Sequence, residues 1–326
     1  MKSFWTVTTH TVWAATFWGA LAGGCLAQNY PVKPIRVLVG FGAGGSADVA
    51  TRVAAQKLSD NLSQPVIVEN KPGAAGLLAA QLVATSAPDG YTLLMSSGSD
   101  ALLQALRTKL PYDLEKDFSA VSMVATTSLL LVVNPSLQVK TIKELIALAQ
   151  SQPGKIRYGS SGIGGSPHFA MELLNSMAKT QTVHVPYKSG SAVVNATVAG
   201  QIEMSIVSIT AAIPLLDAGR LRPIAVTTLK RASIIPSVPT IDESGLPTYN
   251  RSSWYGILAP AGVQRNIIVR LNTVLDKALN TADTKELLNK HSLDVQTGSP
   301  EQFSSFISNE INQNIKIAKL LGIKSE

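Results

Sequence analysis

Two short runs of small residues carry the chemistry available to this chain. The first is Gly40-Phe41-Gly42-Ala43-Gly44-Gly45-Ser46-Ala47-Asp48, and the second is Ser160-Ser161-Gly162-Ile163-Gly164-Gly165-Ser166-Pro167-His168. Each follows a stretch of strand type and leads straight into a helix-patterned segment. Glycines let the backbone approach a ligand closely, and the first N–H groups of a helix have no partner within it. With the helix dipole added, such a turn favours an anion. Two of them in separate blocks suggest one ligand gripped from two sides.

Other chemistries compete for the same residues. Gly40-x-Gly42-x-x-Gly45 matches the dinucleotide fingerprint, and Glu69 follows a second strand, Pro65–Val68, where a ribose-binding acid would stand. A nicotinamide-dependent oxidoreductase is therefore one alternative. Ser160, Ser161 and Ser166 raise a secreted serine hydrolase as another, although no Gly-x-Ser-x-Gly elbow and no acid–histidine–serine set can be identified. Asp48 either caps its helix or touches a ligand. His168 is either a buried structural side chain or ligand-facing. His184 and His291 read as structure or surface, and Tyr187 as core. The four histidines show no metal-ligand spacing, so no metal and no cofactor are expected.

Composition bounds the class. The chain has 326 residues, 45% of them hydrophobic, enough for a large core and two domains. Residues 1–27 read as an export signal: Lys2 gives a basic start, Val12–Leu21 is apolar, and Cys25 and Ala27 suit a cleavage before Gln28. Lipid anchoring at Cys25 is the alternative. Cys25 is the only cysteine, so no disulfide framework exists. The formal charge of +7 is scattered rather than clustered, which gives no support to nucleic-acid binding.

The elements that must position these turns alternate. Strands are expected at Ile35–Val39, Val66–Val68 and Thr92–Met95, with helices at Ala47–Leu62 and Gly76–Thr85. Ser96–Ser99 reads as a loop at the carboxyl end of the third strand, the end where open α/β sheets bind ligands. A second block starts with a strand at Leu129–Val133 and a helix capped by Thr141 with Glu144. Strands at Ile156–Tyr158, Val183–Tyr187, Met204–Val207 and Pro223–Thr227 follow, with helices between them, including Pro167–Ala178. Segment 230–252 is rich in Pro, Ser and Gly and reads as an irregular connection. A strand at Trp254–Ala259 and three helices end the chain.

Several motifs then occur in series. They are Tyr30-Pro31-x-Lys33-Pro34-Ile35-Arg36, Gly44-Gly45-x-x-Asp48 with Arg52, and Pro65-Val66-x-Val68-Glu69-Asn70-Lys71-Pro72-Gly73-Ala74. Pro88-Asp89-Gly90-Tyr91-Thr92, Leu110-Pro111-Tyr112-Asp113, Tyr158-Gly159-Ser160-Ser161-Gly162 and Val185-Pro186-Tyr187-Lys188 follow. Together they resemble the Bug family, the periplasmic substrate-binding receptors of tripartite tricarboxylate transporters, over essentially the whole chain after the leader. The resemblance implies a type II periplasmic-binding-protein fold: two α/β domains, 28–128 with 255–326 and 129–254, joined by crossing strands near Leu129–Val133 and Trp254–Ala259. It implies a non-enzymatic monomer in the periplasm that closes over a small carboxylate and presents it to membrane permease subunits. Glu69 then belongs to the Glu-Asn-Lys-Pro-Gly motif and loses its cofactor role. Carried over by position, the ligand contacts are Phe41, Gly42, Ala43, Gly44, Gly45, Ser46 and Asp48 in the first domain. In the second they are Ser160, Ser161, Gly162, Ser166 and His168, with Ser97 and Ser208 as further candidates at strand ends. Two positions depart from the family pattern: Gly40 stands where proline is usual, and Ala47 where threonine is common.

Overall fold

Ile35, Val37, Leu38 and Val39 are all buried, so β1 (Ile35–Val39) has apolar side chains covered on both faces, as a central parallel strand requires. The computed structural model describes Met1 and residues 30–107 and 109–321; the expected leader, Cys25 included, otherwise lies outside the described residues. From β1 the chain runs through α1 (Ser46–Leu62), β2 (Val66–Asn70), α2 (Leu77–Ala84), β3 (Thr92–Ser97) and α3 (Gly98–Leu106). β1 pairs in parallel with β2 on one side and β3 on the other. The predicted strands and first helices are thus present with small shifts of their ends.

Ser96–Ser99, expected as a loop, instead ends β3 and opens α3. The Ser97 hydroxyl accepts the Ser99 N–H at 3.2 Å, and the Asp100 carboxylate accepts the Ser97 N–H at 2.7 Å, a closed capping box. A larger difference comes next. β4 (Phe118–Val133) is 16 residues long, where only Leu129–Val133 was legible as strand. Its first part carries Ser119, Ser122, Thr126, Thr127 and Ser128, and its pairing slips twice, between Ala120 and Ser122 and between Met123 and Ala125. Polar residues and bulges blur the two-residue period that would have announced it.

The second lobe contains α4 (Ile142–Ser151), β5 (Arg157–Ser160), α5 (Ser166–Ala178), β6 (Val183–Pro186), α6 (Gly190–Val198), β7 (Met204–Ser208), α7 (Ile209–Asp217) and β8 (Arg222–Val226). Thr141 caps α4 as expected, accepting the Glu144 N–H, while the Glu144 carboxylate reaches back to the Lys140 N–H. The chain then returns through β9 (Ser252–Pro260), α8 (Arg265–Leu279), α9 (Ala282–Asn289), β10 (Asp294–Val295) and α10 (Pro300–Leu321). Segment 230–251 holds no named helix or strand, in keeping with its Pro and Ser content.

The strand order is β2-β1-β3-β9-β4-β7-β5-β6, with β8 and β10 also paired to β4. β4 therefore belongs to both halves: Ser128 pairs with Ser252 of β9, and Leu129 pairs with Ser208 of β7. Separate hydrophobic cores lie in the two halves, one around Val37, Leu58 and Leu271 and another around Leu131, Tyr158 and Ile206. The two-lobed, crossing-strand arrangement implied by the resemblance is the one observed.

Thr227 stitches the crossing. Its N–H donates to the Leu129 carbonyl at 3.0 Å and its hydroxyl to the Arg251 carbonyl at 2.6 Å, while the Arg251 N–H returns to the Thr227 carbonyl at 2.7 Å. The half-buried Arg251 guanidinium lies over the Phe169 ring of α5 and donates to Asn314 of α10, so one side chain ties both lobes beside the hinge. Burial pushes its pKa down from the usual arginine range.

Candidate functional site

The two glycine runs end in the same five-residue geometry. Gly44 and Gly164 have φ of 82° and 78°, which favours glycine at both positions. Gly45 and Gly165 follow as extended N-cap residues, with φ of −83° and −79°. The Gly44 N–H donates to Asp48 Oδ2 at 3.1 Å, and the Gly164 N–H donates to His168 Nδ1 at 3.2 Å. Neither α1 nor α5 has a side chain closing its N-cap, and α7 likewise starts at Ser208 without one. The α1 and α7 starts keep amides available for an anion, whereas at α5 the Gly165 N–H donates to the Gly162 carbonyl at 3.2 Å, the Ser166 N–H donates to Ser99 Oγ, and Pro167 has none. The α3 and α6 starts are occupied by Ser97 and Ser189.

All five helix starts border one cavity of about 450 Å³ between the lobes. Phe41 to Ser46 line it from the first lobe, with Ser97 and Ser99; Ser161, Ser166 and Ser208 line it from the second. Across the gap the Ser166 N–H donates to Ser99 Oγ at 3.1 Å, and Ser46 Oγ faces Thr210 Oγ1 at 3.4 Å. A Cβ added at Gly42 would lie 3.4 Å from Ser189 Cβ. The lobes are closed on each other. Among the described residues lining the cavity, none carries a charged side chain.

Four of the carried-over residues stand off the wall, and each has a structural reason. Asp48 is buried: burial pushes its carboxyl up, but hydrogen bonds from Arg52, Asn70 and the Gly44 N–H outweigh this and hold it below the usual carboxylate range. Ser160 is fully buried, with its Oγ 2.6 Å from His184 Nε2 and 3.0 Å from the Gly162 carbonyl. Gly162, with φ of 133°, faces the backbone of Ala75, which a Cβ there would approach to 3.2 Å. His168 stacks on His184 with ring centroids 4.1 Å apart, and the Tyr158 ring lies 4.9 Å from His184 and 6.3 Å from His168. Burial, with His168 alongside, pushes the His184 imidazole down to about 3.

The Ser160–His184 pair was not visible in the sequence, and it is not a nucleophile with its base. Ser160 is sealed from the cavity, and the neighbouring acid Glu172 accepts from Tyr158 instead. Glu69, the acid of the dinucleotide reading, is occupied by Arg36 at 2.6 Å and by Lys71 at 3.3 Å. Gly40 has a local cause as well, because a Cβ there would come within 2.4 Å of Gly76 Cα.

Sequence reasoning missed several lining groups. Ser189-Gly190-Ser191 is a third glycine–serine helix start and could have been grouped with the other two. Ser99 was hidden by the loop assignment. Val193, Val194, Ile206, Pro214, Leu215 and Tyr255 also line the cavity. As apolar residues in helices and strands they look like core, so no local signal marks them.

The comparisons with known proteins agree with one another. The family described as "Tripartite tricarboxylate transporter family receptor" matches residues 50–323. Protein BugT of Bordetella pertussis is 35% identical over 307 residues, covering 93% of this chain and 94% of that protein. A solved structure titled R. palustris Rpa4515 with adipate superposes with a TM-score of 0.87 at 32% identity, covering 90% of this chain and 99% of that one. Another, MatC from Rhodopseudomonas palustris with bound malate, gives 0.83 at 28% identity, with coverage of 90% and 100%.

Proposed function

The chain belongs to the receptor family of the tripartite tricarboxylate transporters, has the type II periplasmic-binding-protein fold and is not an enzyme; from that premise we propose that it is a periplasmic solute receptor for a small carboxylate. One observation carries this reading: the starts of α1 and α7, which no side chain caps, and the glycine turn before α5 border one cavity between the lobes whose described lining has no charged side chain. A carboxylate there is neutralised by oriented amides and hydroxyls, each helix start contributing roughly half a positive charge. The adipate and malate held by two structural relatives support the same ligand class. Ligand contacts come from Phe41–Ser46 on one lobe and Ser161, Ser166 and Ser208 on the other.

The mechanism is hinge closure. Carboxylate capture bridges Ser46 and Ser166 across the gap, and rotation at Ser128–Leu129 and Arg251–Ser252 opens and shuts the lobes. The closed form is then recognised by a membrane permease, which receives the ligand when the lobes part. Asp48 and His168 support the cradle by holding the Gly44 and Gly164 N–H groups.

A thermal-shift screen of the purified chain, expressed in an exporting host, against carboxylates, their amides and nicotinamide dinucleotides tests the reading. A ligand at about 100 times its dissociation constant adds about 2.7 kcal/mol, a shift of several degrees. Acids that stabilise while their amides do not would support it. Dinucleotide stabilisation, or equal stabilisation by amides, would overturn it.

A further inference from the structure

The cavity has two unlike ends. At one, two hydroxyl pairs span the lobes, Ser46 with Thr210 and Ser99 with Ser166, at the starts of α1, α7, α3 and α5. The other end lies farther along α7, where Pro214 and Leu215 project into the cavity with Val193 and Val194 of α6 and Ile206 of β7. At 1.5 Å per residue, Pro214 is about 8 Å along α7 from Ile209. Pro214 also has no N–H to offer there. The nearby polar side chains, Ser189, Ser191 and Asn195, are neutral. Lys188, although exposed and next to Ser189 in the chain, is not part of the lining.

Granted the receptor reading above, we propose that the preferred ligand is an amphipathic monocarboxylate, held by its carboxylate at the Ser46–Ser166 end with an apolar body between α6 and α7. A buried carboxylate is tolerated only where donors meet it, and the α6–α7 end offers apolar surface instead. A second carboxylate at the far end of a six-carbon chain would find there only the neutral Ser189, Ser191 and Asn195 side chains, beside a helix start that Ser189 already caps, and an otherwise apolar wall. An alkyl or aryl tail in the same place is covered by Val193, Val194, Ile206 and Leu215. The selectivity of this chain therefore runs against dicarboxylates of the same length.

Matched pairs test this: hexanoate against adipate, and benzoate against benzene-1,4-dicarboxylate, with hexanamide and benzamide as neutral controls, each titrated calorimetrically into the purified chain. At least one monoacid is expected to bind ten-fold or more tightly than its diacid, and ten-fold or more tightly than its amide. A diacid that binds as tightly as its monoacid, or more so, overturns the proposal while leaving the receptor reading in place. Amides that match their acids, or silence from all six compounds, would instead count against the carboxylate reading itself.

Leu215→Lys supplies the independent arm. Leu215 is half-buried, so a lysine can place its ammonium in the cavity without disturbing the α7 core. Adipate is expected to tighten ten-fold or more relative to hexanoate in this variant. Equal weakening of both acids would mean that Leu215 only shapes the helix, and would overturn the assignment of the tail site. If adipate binds the parent chain tightly and Lys188→Ala removes that binding, Lys188 pairs the second carboxylate and the proposal fails.

Discussion

The turns before α1 and α5 share a backbone and differ in what holds it. Both run Gly-Gly-Ser-x-acceptor, both use a left-handed glycine, and in both the acceptor four residues on takes the glycine N–H. In the first lobe the acceptor is a carboxylate clamped by Arg52 and Asn70. In the second it is an imidazole stacked on His184. The comparison separates what the ligand site requires from how each lobe provides it. The proposed requirement, met in both lobes, is a glycine turn held in one conformation at a helix start that no side chain of its own turn caps. A negative side chain near an anionic ligand is acceptable only when neutralised, as Asp48 is by Arg52; a neutral imidazole avoids the conflict altogether.

The strand-end glycines of the two turns should differ most. A Cβ at Gly40 meets the Gly76 backbone at 2.4 Å, whereas a Cβ at Gly159 meets the ends of the Ile202 and Val193 side chains. Gly40→Ala should cost about 3 kcal/mol and Gly159→Ala about 1 kcal/mol, since only side-chain ends can yield. Denaturant midpoints would show the order, and a larger loss at Gly159 would break the comparison.

The acceptors come next. Asp48→Ala removes a charged acceptor that receives three donors, and His168→Ala removes one that receives the Gly164 N–H. Hydrogen bonds to charged groups contribute about 1.5–3 kcal/mol and neutral ones about 0.5–1.5 kcal/mol. Asp48→Ala should therefore destabilise more than His168→Ala, while both loosen ligand binding. Equal losses would show that the charge on Asp48 contributes nothing extra.

Acid should act through the second turn. His184 titrates near 6.5 unfolded but at about 3 folded, so the unfolded chain binds the extra proton between those values. Stability is then lost as pH falls from about 6.5 towards 3. Asp100 acts oppositely: burial raises its carboxyl from 3.8 to about 6, against hydrogen bonds from Ser97 and Ser96. The folded chain takes up that proton first, which adds stability as pH falls through 6 towards 3.8. His184→Phe keeps a ring in the stack and should flatten the acid loss, and Asp100→Asn should steepen it. Melting temperatures across pH 4–8 would show both signs, and an unchanged slope in His184→Phe would contradict this role.

Much of this was legible because the site is made of backbone. A glycine turn between a strand and a helix announces itself in the residues, so Phe41–Ser46, Ser161 and Ser166 could be singled out, and they do line the cavity. Side chains whose role depends on distant partners could not. Ser160 resembles a ligand hydroxyl until His184, twenty-four residues on, claims it. Val194 and Leu215 are indistinguishable from core until the gap between α6 and α7 is seen. β4 stayed hidden because its polar, bulged first half carries no steady two-residue period.

In the receptor proposed above, oriented amides and hydroxyls, rather than a charged side chain, hold a carboxylate between the two turns. The most direct measurement is a calorimetric titration of the tightest-binding acid and its primary amide, repeated from 0.05 to 0.5 M salt. Binding of the acid at least ten-fold tighter than the amide, with little dependence on salt, is the predicted result, because buried dipoles are screened far less than surface charges. Equal affinities for acid and amide would contradict the account.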